Sequence, residues 1–273
     1  MAVSAGIAAL LALFVWWFAT GAILFVVRQA DRAGGRAPLG AALAGLPFLS
    51  AGLVCAVLSR GDAGVPGAYA GFLSALAIWG WIELAFLTGT IAGPSRAPCP
   101  AGAAGAERVR LAWRTIAHHE AALIAGLLGL TVIVWGHANP IALQTYAILF
   151  AARILAQLNL FCGVPRINLE FVPARLEHLK SHFRLGPISA VFPLAVAILS
   201  ALLLVLLHDL VSARTSVEAA TASLLAMLAA LALVEHAMMV LPLPDAKLWR
   251  WMLPAPATPD RRFTPPSMNP SER

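Results

Sequence analysis

Long apolar runs separated by short polar stretches dominate the chain. A helix that crosses a bilayer needs roughly 20 apolar residues. Seven runs meet that length: 5–27, 38–59, 68–92, 111–136, 140–162, 187–208 and 217–241. They predict an all-α, polytopic integral membrane protein of about seven transmembrane helices. Pro47 interrupts the second run, which is tolerated in a membrane helix when neighbours satisfy the freed carbonyl. Gly40, Ala41, Ala44, Gly45 and Gly52 in the same run are small enough to let another helix approach closely.

The polar stretches set the expected orientation. Arg28, Arg32 and Arg36 follow the first run, Arg96, Arg108, Arg110 and Arg114 surround the third connection, and Arg166, Arg175, Lys180 and Arg184 fill the fifth. Lys247, Arg250, Arg261, Arg262 and Arg273 follow the last run, whereas the alternate loops hold only Arg60, none, and Arg214. Basic loops stay in the cytoplasm. The expectation is an N-terminus outside and a C-terminus in the cytoplasm.

Between the fifth and sixth runs lies LNLFCGVPRINLEFVPARLEHLKSHFR, residues 158–184, the longest polar, motif-like passage. Pro173 can start a helix, and Leu176, Leu179 and Phe183 recur at three and four residues. This predicts an amphipathic helix over 174–184 on the cytoplasmic surface. After the seventh run, Trp249 and Trp251 beside Lys247 and Arg250 fit an interfacial anchor. The transmembrane domain is expected to span 1–253. The Pro-rich remainder, 254–273, is too poor in aliphatics to bury a core and is expected to be a disordered cytoplasmic tail.

Composition sharpens the class. Of 273 residues, 60% are hydrophobic and 12% charged, with a mean hydropathy of +0.82. Soluble domains carry about 25% charged residues. The net charge of +6 belongs to loops, so a nucleic-acid partner is not expected; the lipid bilayer is. Cys55, Cys99 and Cys162 form no CxxC pair and are read as structural. With no Lys or Arg before Arg28, the first run is expected to be a retained helix, not a cleaved signal.

Candidate chemistry lies with the few ionisable residues inside the runs, which usually face the bundle interior. These are Glu83 in the third, His118, His119 and Glu120 in the fourth, Arg153 and Asn159 in the fifth, and Glu235 and His236 in the seventh. The expected topology gathers them in the cytoplasmic half, near Asn168, Glu170, His178 and His182. One account is structural, with Arg153 neutralising Glu83 or Glu235. The other is a polar pocket open to the cytoplasm, with His119, Glu170, His178 and His236 as candidate metal ligands and no catalytic residue assignable. His178 and His182 share a helical face, but HLKSH lacks the Glu that follows the first His in a hydrolytic HExxH site. Trp16, Trp17 and Phe18 sit mid-span, where they line a pigment, pack on a partner helix or face lipid. No phosphate loop, dinucleotide fingerprint, nucleophile elbow or haem-attachment motif is present, and no internal repeat suggests a transporter.

LFVWWFATGAILF, WGWIELAFLTG with GPSRAPCP, HHEAALIAG, NLFCGVPRINLEFVPARLEHL and EHAMMVLPLPDAKLWRW, in that order, resemble the PuhE family. The resemblance covers about residues 8 to 252. That family is described as photosynthetic complex assembly proteins of purple and related phototrophic bacteria. The resemblance implies a protein of the bacterial inner photosynthetic membrane that helps build the reaction centre and its core light-harvesting antenna. It would contact their subunits and other assembly factors, and influence bacteriochlorophyll supply. Where the family reads NLNEEFLP this chain reads INLEFVP, so Asn168 and Glu170 match while Leu169 replaces an acidic position. His118 and His182 stand where the family carries other residues, which favours His119 and His178. The expected cofactor is bacteriochlorophyll or a precursor, with iron the lesser candidate. The alternative function is a membrane-bound enzyme of (bacterio)chlorophyll biosynthesis with a Glu/His metal site.

Overall fold

A computed structural model describes residues 2–242. Eight α-helices make seven candidate membrane spans. They are α1 (Ala2–Ala33), α2 (Ala37–Ala44) with α3 (Leu46–Ser59), α4 (Val65–Leu87), α5 (Gly105–Val134), α6 (Ile141–Cys162), α7 (Val191–Ser212) and α8 (Ser216–Met238). The protein is all-α and polytopic. The expected tail, the Trp249–Trp251 anchor and the end of the expected 1–253 domain lie outside the described residues.

Local chemistry explains where helices start and stop. Pro38, Pro47 and Pro66 each occupy the first turn of a helix, where a missing N–H costs nothing. The second span is therefore two helices in series, with Pro47 opening the second. The Ala42 carbonyl at the break accepts the Trp81 indole N–H at 3.0 Å. Gly45 and Gly52 lie against α4, where an added Cβ would come within 2.9 Å of Leu84 and 3.0 Å of Ile78 respectively. Gly40 faces open space and Ala44 is exposed, so those two do not serve this contact. α4 ends earlier than the apolar run because Gly89 turns with φ +72°. α5 begins at Gly105, so Arg108, Arg110 and Arg114 ride on the helix and not in a loop. Thr215 and Glu218 form a reciprocal capping box that starts α8.

The most buried helix is α8. Its alanines, including Ala220, Ala226, Ala229 and Ala232, allow α1, α4, α6 and α7 to pack around it. A second core joins α3 to α6 through Ile78, Ile82, Leu123, Leu130 and Tyr146. Phe14, Leu58, Leu128, Val132, Leu204 and Val211 point outward, an apolar coat suited to lipid.

Residues 163–190 close the end of the bundle that carries Arg32, Arg36, Arg96 and Arg184, hereafter the basic end. The predicted surface helix is a 3-10 helix over Ala174–Ser181 and not an α-helix. Its Leu176 and Leu179 are buried against Phe86, Ala92 and Ile116, so its apolar side packs on protein. The segment is tied at both ends, the Ala174 N–H donating to Asp31 and Ser181 Oγ accepting the Cys99 N–H.

Candidate functional site

The intramembrane polar residues form a chain across the basic half of the bundle. Glu83 projects from α4, one turn before the helix stops. From α6, the Arg153 Nε approaches the Glu83 carboxylate at 3.6 Å. From α5, His119 Nε2 approaches the same oxygen at 3.5 Å, and its Nδ1 lies 3.3 Å from Glu120. The imidazole thus sits between two carboxylates. Gln157, one turn beyond Arg153 on α6, lies beside the far carboxylate, Glu120. His119 and Glu120 are 0% and 1% exposed. Burial at this level makes each pairing obligatory, because an unpaired charge in hydrocarbon is costly.

Phe86, a turn after Glu83 on α4, stacks on His119 with centroids 4.1 Å apart and planes at 30°. The Arg153 guanidinium lies 5.4 Å from the same ring. Phe86 therefore fixes both cationic partners of Glu83. Phe86 and Gln157 were not singled out from the sequence; their signal was the one-turn spacing from Glu83 and Arg153.

Two cavities flank this chain. The basic-end cavity, about 330 Å³, is walled by Phe86, Arg153, Gln157 and Glu235 and roofed by the 163–190 segment through Asn168, Phe171 and Leu176. An inner cavity of about 280 Å³ lies between α1, α4, α6 and α8. Arg153, Glu235 and Leu87 belong to both walls. Trp16 lines the inner cavity beside Glu235, whereas Phe18 is 58% exposed on the outer face.

The remaining candidates stand apart from the two cavity walls. Asn159 is buried and donates back to the Leu155 carbonyl at 3.0 Å. His236 is buried with Nδ1 2.8 Å from the Ala232 carbonyl. Glu170 is exposed and contributes its backbone carbonyl, which accepts from Arg28. His178 is half-buried; burial, Arg96 and His182 together push its pKa down. His182 is buried with Nε2 3.2 Å from the Ala97 carbonyl, and His118 is exposed.

A metal at His119, Glu170, His178 and His236 does not fit this arrangement. Among the described residues no three His, Cys, Asp or Glu side chains come together as a metal-binding group. Both His119 nitrogens already face carboxylates, and Glu170 is on the surface. Neither cavity wall contains a histidine, so neither offers an axial imidazole to a chlorin magnesium.

The roof over the basic-end cavity is latched to the end of α1. Arg28 donates to the Glu170 carbonyl, the Ala174 N–H donates to Asp31 at 3.0 Å, and Arg175 donates to the Gly35 carbonyl at 2.6 Å.

Among known proteins, the chain is 45% identical over 258 residues to a Rhodobacter capsulatus protein, "Uncharacterized 30.4 kDa protein in puhA 5'region". The alignment covers 94% of each chain. No solved structure matches. The profile of one family, "Protein of unknown function (DUF3623)", matches residues 2–260, and the chain belongs to that DUF3623 family.

Proposed function

We propose that this protein is an assembly factor for the photosynthetic reaction centre and its core light-harvesting complex. The observation that carries this reading is the relative in the 5′ region of puhA, a photosynthesis gene, at 45% identity over nearly the whole chain. The resemblance to the PuhE family agrees with it. The excess of Lys and Arg at the basic end supports an orientation with that end in the cytoplasm of the inner photosynthetic membrane. The protein contacts core subunits through its apolar outer helices and handles bacteriochlorophyll or a precursor at the basic-end cavity. Pigment contact there runs through Arg153, Gln157 and Asn168 acting on oxygen substituents, not through an axial histidine. The alternative of a Glu/His metal enzyme draws no support from the ligand geometry.

The test is affinity purification of the tagged chain from phototrophically grown cells, with an absorption spectrum of the eluate. Core-complex subunits and a near-infrared pigment band are expected. An eluate with neither, together with normal reaction-centre levels in a deletion strain, overturns the proposal.

A further inference from the structure

The inner cavity holds a carboxyl group, Glu235, that is exposed to it and has no ion-pair partner among the described residues. Its walls are mostly apolar, with the rings of Trp16 and Trp79 and the side chains of Leu149 and Leu228, but Glu83, Arg153 and Glu235 also face it. The ionisable groups around this point are Glu83 from α4, His119 and Glu120 from α5, Arg153 from α6 and Glu235 from α8; α1 contributes none, its polar side chains there being Trp16 and Thr20. Even with a proton on His119, three carboxylates face two cations.

Both cations are already engaged. Arg153 lies 3.6 Å from Glu83, and His119 stands between Glu83 and Glu120. Glu235 has no ion-pair partner within 4.0 Å among the described residues. Its polar neighbour on α1 is the neutral Trp16 indole. A carboxylate ligand would add to the negative excess, while one positive charge would cancel it. Ammonium groups are also attracted to indole faces, and Trp16 and Trp79 supply two. A small apolar chamber with a few placed polar groups is the usual form of a ligand site.

We infer that the inner cavity binds a membrane-soluble monocation, a lipophilic primary ammonium, with its headgroup on Glu235 and its apolar body among Trp16, Trp79 and Leu149. Four helices enclose the site, so the ligand enters from the bilayer or from the basic-end cavity that shares Glu235. This inference does not rest on the assembly role.

The test uses the purified full chain in nanodiscs of zwitterionic lipid and a dansyl-labelled long-chain primary amine, with empty nanodiscs subtracted. Saturable binding of one amine per chain is expected. The N-acetylated probe, which has lost its charge, should bind at least tenfold more weakly. Glu235→Gln should weaken amine binding at least tenfold, while Glu177→Gln, on an exposed surface, should leave it unchanged. Ala152→Phe, which fills the cavity from α6, should abolish binding and keeps the test decisive if the Glu235 variant misfolds. Equal affinity for the amine and its acetylated form, or unchanged binding in Glu235→Gln and Ala152→Phe, overturns the inference. Loss of reaction-centre assembly without loss of amine binding would leave it standing.

Discussion

His119 and Glu83 are joined at 3.5 Å between α5 and α4, and the imidazole's other nitrogen holds Glu120. One side chain therefore serves two buried carboxylates on two helices. Removing one partner of a buried pair costs about 3–5 kcal/mol when nothing replaces it. Arg153 stays beside Glu83, so His119→Ala should cost somewhat less, about 2–3 kcal/mol. His119→Gln, which can still donate to one carboxylate, should cost less than half of that. Thermal unfolding in detergent checks this. Equal melting temperatures for wild type and His119→Ala would show that the pair carries no stability.

The α5–α6 contact depends on a missing side chain. A Cβ on Gly126 would overlap the Tyr146 hydroxyl and come within 2.7 Å of its Cζ, and Tyr146 is fully buried with its hydroxyl on the Leu123 carbonyl at 3.1 Å. Overpacking of this kind costs about 1–3 kcal/mol. Gly126→Ala should destabilise by that amount. Tyr146→Phe alone loses the hydrogen bond; beside Gly126→Ala it removes the hydroxyl part of the overlap but keeps Cζ at 2.7 Å, so the double variant should be only modestly more stable than additivity predicts. A double-mutant cycle measures the coupling.

The spans were legible from sequence because apolar length alone decides them. Helix ends were less so. Gly89 stops α4 five residues before the apolar run ends, and Pro47 makes two helices of one span. The 3-10 form of Ala174–Ser181 escaped detection because Leu176 and Leu179 fit both helical periods at this length. Among candidate site residues, Glu83, His119, Glu120 and Arg153 could be named since ionisable groups in hydrocarbon are rare. Their pairing could not, because it depends on helix rotation. That rotation also turns His118 outward beside His119 and confines His236 to the Ala232 carbonyl. Phe86 and Gln157 carried no mark beyond their one-turn spacing from Glu83 and Arg153, and their roles follow from the stacking on His119 and the position beside Glu120.

At the opposite end, Asn139 ties two loops together. Its amide donates to the Ser59 and Gly67 carbonyls at 2.9 and 2.8 Å, and its oxygen accepts the Ile141 N–H at 3.1 Å. Asn139→Ala would orphan the buried Ile141 N–H, at about 1–3 kcal/mol, and take a second donor from the Ser59 and Gly67 carbonyls, of which Ser59 keeps the Asp62 N–H at 3.0 Å. A loss of about 2 kcal/mol is expected, and Asn139→Asp should also destabilise because the amide donors to Ser59 and Gly67 are lost. Yield of folded, monodisperse protein is the readout. Normal yield and melting temperature in both variants would contradict the assignment.

The latch between α1 and the roof acts on local opening. Arg175→Ala removes the bond to Gly35, an exposed interaction worth about 0.5–1.5 kcal/mol. Global stability should barely change, while amide exchange in 168–176 should speed up by about threefold to tenfold, as that energy implies. Combining it with Asp31→Asn should increase the effect. Exchange confined to wild-type rates in both variants would show that the roof is held by Leu176 and Leu179 alone.

The same roof should loosen on acidification through His178. Burial, with Arg96 and His182 nearby, pushes the folded-state pKa below its ordinary value of 6.5, so the unfolded segment takes up a proton more readily than the folded one. The contribution to stability is complete above that ordinary value and is lost as pH falls through the folded value. The ring is half-buried, so the effect is discounted for solvent screening and is read as relative exchange rates, not as an energy. Amides of 174–183 should exchange faster, after correction for intrinsic rates, when pH is lowered through the ordinary histidine range. His178→Gln should remove most of that pH dependence. Because His182 also lies within this segment, His182→Gln is the control: if it alone flattens the profile and His178→Gln does not, the titrating group is His182.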